Sequence, residues 1–140
     1  MYAPPLFRDR SDTAQLIIGG VVPMLIGGLA GVLVGVSAAA YWAIAVLAAV
    51  GALLSGFEHS DGWDAADRGF LSGLIYGAAL LLAHELAGTQ AKASLGSVPA
   101  LLPVVTTLAG MLLAAGGGHL ARGRRRGATV GSRTPRLQRL

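Results

Sequence analysis

Cysteine and asparagine are both missing from this 140-residue sequence, and lysine occurs once. Without cysteine there can be no disulfide, no thiolate metal site and no thiol nucleophile. Charge is the next scarcity: only 13% of residues carry one, and from Ala14 to Phe57 there is none at all. A soluble domain of this length needs far more charge to cover its surface, so a soluble globule is excluded and the chain reads as membrane-embedded. Aromatics are sparse at 6%, while apolar residues make up 54% of the chain.

The basic residues that are present are unevenly placed. Arg122, Arg124, Arg125 and Arg126 open a tail that holds most of the arginine, and Lys92 stands alone between two apolar runs. The preference for arginine over lysine, with no asparagine, is a compositional association with GC-rich bacterial genomes.

The uncharged run from 14 to 57 would make a helix of about 66 Å, roughly twice the ~30 Å hydrocarbon core, so it must hold two spans. The break falls at Val36-Ser37-Ala38, with Tyr41 and Trp42 just beyond it, where amphipathic rings favour the membrane boundary. Ala38-Ala39-Ala40 resembles a signal-cleavage site. The run before it is longer than a signal core and another span follows at once, so it reads as a retained span.

The expected fold is all-α, a polytopic four-helix membrane bundle. Its spans are 14–35, 38–56, 69–87 and 98–120, with a short N-terminal segment 1–13 and a basic tail 121–140 too poor in apolar residues to pack. Asp12 or Thr13 caps the first helix, Ser60 or Asp61 the third, and Ser97 the fourth, with Pro99 in its first turn. Ten of the eleven basic residues fall on one side of such a bundle, and Lys92 on the other. Basic residues near span ends stay inside, so both termini are expected in the cytoplasm of a bacterial inner membrane.

Small residues let helices approach in lipid. Gly27, Gly31 and Gly35 are four apart in span one, and Gly69, Gly73 and Gly77 in span three. Packing within one bundle is the first reading, a homo-oligomer seam the second. Pro23 lacks an amide and crowds the carbonyl of Gly19, which predicts a kink; Pro103 is placed to do the same.

Two groups of residues are candidates for a polar or ion site. The first is Glu58, His59, Asp61, Asp64 and Asp67. Their spacing matches no metal motif, and helix capping, the helix dipole and an Asp64–Arg68 pair account for most of them. Glu58 and His59 escape that account. The second is His84 and Glu85. Here His84 shares a face with the span-three glycines, about 22 Å along the axis from Gly69, and Glu85 is within reach of water and Lys92. Tyr76, Thr106 and Thr107 are mid-membrane polar groups that either partner His84 or satisfy carbonyls. His119 is expected at the interface.

The tail arginines suit anionic lipid headgroups at about 1 kcal/mol each, and no aromatic platform supports nucleic-acid binding. No catalytic set, metal site or cofactor motif is visible, so an enzyme is not expected. Three functions remain open: a structural or accessory partner in a larger membrane complex, a small channel or transporter using His84, Glu85 and the acidic loop, and a holin-like permeabilising protein.

Overall fold

The computed structural model describes residues 7–59, 62–96 and 98–131, with the backbone alone for Arg8 and 124–131. Among the described residues the fold is all-helical. Four of the helices are long and apolar enough to cross a membrane: Asp12–Val36, Ala38–Gly56, Gly62–Ala87 and Pro99–Gly123.

The first of these is a continuous rod made of α1 (Asp12–Leu16), a π-helical turn (Ile17–Val21) and α2 (Val22–Val36). Its N-cap is Ser11, whose hydroxyl accepts from the Ala14 amide, so the expected cap at Asp12 or Thr13 is corrected by one turn position. The π turn sits where Pro23 predicts trouble. The Val22 amide bonds five residues back to the Ile17 carbonyl, which widens the helix around Gly19. That widening relieves the proline ring's crowding of the Gly19 carbonyl, and the Ser72 hydroxyl donates to this carbonyl across the bundle at 3.5 Å. Proline distortion and its repair are thus both local to one carbonyl.

Ser37 ends the rod. Its backbone is extended (φ −157°, ψ 127°), its amide closes α2 on Leu33, and its hydroxyl accepts from Ala40 to start α3 (Ala38–Gly56). The break at residues 36–38 is where the length of the uncharged run required it. α4 covers Gly62–Ala87, seven residues earlier than the apolar span itself. Gly88 follows at φ 61°, in the left-handed region that glycine enters without strain, and its amide bonds the Glu85 carbonyl. A 3-10 turn at Pro99–Leu101 leads into α5 (Leu102–Gly131).

The last helix is longer than hydropathy predicts. Residues 121–131, expected as unpacked tail, continue α5. Leucine, alanine and arginine are good helix formers, and arginines favour the negative end of the helix dipole, so the helix outlasts its apolar run. Residues 132–140, like the expected caps at Ser60, Asp61 and Ser97, lie outside the described residues.

α2, α4 and α5 form the tight part of the bundle. A methyl group at Gly27 would collide with the Tyr76 carbonyl, and one at Gly31 with the Leu80 carbonyl; Gly35 faces Thr89, just past α4. Gly69, Gly73 and Gly77 face α5 instead, against Gly110, Thr106 and Pro103. Each triplet therefore meets a neighbour in the same chain, at distances where dispersion and Cα–H···O contacts act. α3 is different. It packs on α2 and α5 but touches α4 only sparingly.

Lys92 ties the end of the bundle farther from Phe7. Its amide donates to Val34 at 2.8 Å and its ammonium to Val36 at 2.9 Å, so one residue satisfies two of the orphan carbonyls of α2.

Candidate functional site

The sequence candidates separate into two places. Glu58 and His59 lie in the link before α4 and Asp64 and Asp67 in its first turns, whereas His84 and Glu85 lie at its end. Seventeen residues of helix, about 26 Å, separate Asp67 from His84. Asp61 lies outside the described residues. Among the described residues no three acids or histidines converge as ligands for a metal ion.

Glu58 and His59, the pair that capping could not explain, hold the N-terminal turn Phe7–Asp9 against the α3–α4 link. Arg10 donates to the Glu58 carboxylate at 2.7 Å, and the Phe7 amide donates to the Glu58 carbonyl at 3.1 Å. His59 is buried, its Nδ1 lies 3.0 Å from the Ser55 carbonyl, and its ring stacks on Phe7 at 5.6 Å between centroids. The Arg68 guanidinium also lies over Phe7, 3.5 Å from the ring centroid. That position corrects the expected Asp64–Arg68 pair, because the aromatic ring takes Arg68 away from the helix surface that Asp64 shares.

Asp67 is exposed and Asp64 half-buried. Trp63 and Phe70 are exposed on the outside of α4. Arg122 is half-buried, with its guanidinium against Gly62, so the first of the tail arginines packs on the start of α4. The side chains of Arg124, Arg125 and Arg126 lie outside the described residues. His119 is exposed.

At the other end, His84 is half-buried, and its Nδ1 is shielded from solvent without a hydrogen-bond partner among the described residues. Glu85 is exposed, and the Lys92 ammonium is occupied by Val36, not by Glu85. Thr106 and Thr107 do not partner His84: Thr106 donates to the Gly73 carbonyl at 2.9 Å, and both bond the Pro103 carbonyl. Of the two readings for those threonines, satisfaction of carbonyls is the one observed.

A feature that periodicity did not single out lies between α3 and α4. Where the two helices stand apart there is an apolar cleft of about 330 Å³. Ala48 and Ala52 of α3 form one wall, and Pro23 and Ile26 of α2 another. Arg68, Ser72 and Tyr76 line it from α4. These three are spaced i, i+4, i+8, so they share one helix face. That spacing was readable in the sequence, but the glycine triplet beside it on the same helix drew the attention. Phe7 was missed for another reason: an isolated aromatic in a short polar segment gives no periodic signal.

Comparison with protein-family models, with curated proteins and with solved structures gave no match to this chain.

Proposed function

We propose that this is a four-span bacterial inner-membrane protein, with both termini in the cytoplasm, that serves as a structural or accessory component of a membrane assembly. One observation carries the reading. Glu58 and His59, the polar pair that looked most like an inner-face site, are used to fasten the N-terminal turn to the bundle through Arg10 and Phe7. Lys92 and Thr106 serve the same purpose elsewhere, each satisfying main-chain carbonyls. Polar groups spent on bracing suit a protein that works through its surfaces. The excess of arginine beside the termini supports the orientation, and the tail arginines supply attraction to anionic lipid.

The test is extraction into lipid particles from the source membrane, followed by mass measurement of the intact species. A particle heavier than the 14.2 kDa chain by a stoichiometric partner is expected. A monodisperse lone chain in every extraction overturns the reading.

A channel or transporter is the second reading, favoured by the unpartnered His84 Nδ1 beside Glu85. Purified protein in liposomes would then carry ion or proton flux that His84→Ala with Glu85→Ala reduces. Absence of flux in the unmodified protein removes it.

A further inference from the structure

We propose that the cleft between α3 and α4 binds a single alkyl chain bearing an acidic head, with the head on Arg68 and the chain running along the α3 wall. This goes beyond the accessory reading and stands whether or not a protein partner exists.

The body of the cleft is shaped for a chain. Its α3 wall is set back by small residues such as Ala48 and Ala52, and it extends from Ser55 to Tyr41. Those fifteen residues span about 21 Å, enough for an extended acyl chain, which occupies half of a ~30 Å core. A space of 330 Å³ is far larger than the voids a packed interior leaves. Lined almost wholly by carbon and surrounded by lipid, it gains dispersion contacts when an alkyl chain fills it.

Arg68 makes the site selective. Arg68 lines the cleft, yet among the described residues it forms no ion pair with a carboxylate. The carboxylate of Glu58 is held by Arg10 at 2.7 Å. Phe7 covers the face of the guanidinium, which leaves the edge N–H donors available. Those donors form a planar fork that matches the oxygens of a carboxylate or phosphate. Arg68 is six residues into α4, about 9 Å from the helix start, and so close to the charged end of that helix, where a headgroup would lie if α4 spans a bilayer. The Ser72 hydroxyl is already engaged with Gly19, so the acidic head is assigned to Arg68 alone.

The carboxylate of a free fatty acid is the single-chain ligand of this kind; a phosphatidylglycerol head shares the acidic chemistry but carries two chains, and competition separates the two. The full chain is placed in phosphatidylcholine nanodiscs with a photoreactive palmitate carrying a mid-chain diazirine, irradiated, and mapped by peptide mass spectrometry. Adducts are expected to concentrate on Ala48, Ala52 and Gly73 relative to the lipid-exposed Leu82 and Leu112. Arg68→Gln is expected to lower cleft labelling about tenfold, the scale of one charge-assisted hydrogen bond, and Arg68→Lys to restore much of it. A neutral hexadecanol probe should label the unmodified protein and Arg68→Gln alike. Ala48→Leu with Ala52→Leu should remove labelling by both probes, with monodispersity and thermal midpoint checked in parallel.

Clearance of the label by oleate but not phosphatidylglycerol assigns a free fatty acid. Clearance by phosphatidylglycerol but not oleate overturns the single-chain assignment. Labelling of Leu82 and Leu112 as strong as that of Ala48, or cleft labelling unchanged in Arg68→Gln, overturns the proposal.

Discussion

The guanidinium of Arg68 lies 3.5 Å from the ring centroid of Phe7, joining a residue in the leader to one on α4 that is sixty-one positions later. His59 stacks on the same ring, so Phe7 links the leader, the α3–α4 connection and α4 at one point. A cation–π contact contributes about 0.5–1 kcal/mol when exposed and about 2 when desolvated, and a stacked ring pair about 0.5–1.5. Phe7→Ala is therefore expected to destabilise the protein by about 1–3 kcal/mol. Thermal unfolding in detergent measures this. A double-mutant cycle of Phe7→Ala with Arg68→Gln should return a coupling near 1 kcal/mol, whereas strict additivity would show that the contact contributes nothing.

The Arg10–Glu58 pair joins the same segments at 2.7 Å, but both side chains are about a quarter exposed. Water screens a pair of this kind, so the expected contribution is no more than about 1 kcal/mol. Glu58→Gln should cost less than Phe7→Ala, and the cost should shrink at high salt. The reverse order of the two variants would assign the docking to charge and not to the ring.

Much of the fold was legible in the sequence because helices long and apolar enough to cross a membrane are bounded in length. The uncharged run from 14 to 57 had to break once, and the break at Ser37 is the one place where the backbone between α2 and α3 turns extended. Pro23 announced a distortion at Gly19, and the π turn lies there. The helix start at Gly62 falls where the expected cap at Ser60 or Asp61 would put it, whereas the continuation of α5 to Gly131 was less legible, since polar helix turns outside the apolar core carry no hydropathy signal. The cleft was less legible still. It depends on α3 standing off α4, a distance set by how three other helices pack and not by any local pattern.

Glycine substitutions separate close contact from open space. Gly27 meets the Tyr76 carbonyl, whereas Gly28, its neighbour, has nothing within 4 Å of where a methyl group would stand. Gly28→Ala is expected to be neutral or to stabilise by up to about 1 kcal/mol, because alanine loses less backbone entropy in a helix. Gly27→Ala must push α2 from α4 and should cost about 1–3 kcal/mol, the range for overpacking. Unfolding midpoints in one detergent decide it: equal midpoints for the two variants would mean that the α2–α4 contact is not as close as described.

Lys92 provides a test at the opposite end. It donates from both amide and ammonium to the last turn of α2, and Lys92→Met keeps the stem while deleting the charge. The loss of one charge-assisted bond at an exposed site is expected to cost about 1 kcal/mol. Amide exchange in 88–96 should quicken at the same time, because the ammonium anchors that link. Unchanged exchange would leave the main-chain bond to Val34 as the sole anchor.

Ser72 and Pro23 are coupled through a carbonyl that neither of them owns. Pro23 has no amide to offer Gly19, and the Ser72 hydroxyl reaches that carbonyl at 3.5 Å, long for a hydrogen bond but directed at the group an α-helical amide at position 23 would have taken. In the unmodified protein, Ser72→Ala should cost up to about 1 kcal/mol, the usual net value for a neutral bond. In a Pro23→Ala background, the new alanine amide can pair with Gly19 inside the helix, and the serine becomes redundant. Ser72→Ala should then cost nothing measurable. The sign of this coupling separates repair from mere proximity. If serine matters equally in both backgrounds, its hydroxyl serves the cleft that it lines, and the distortion at Gly19 is stabilised by the π turn alone.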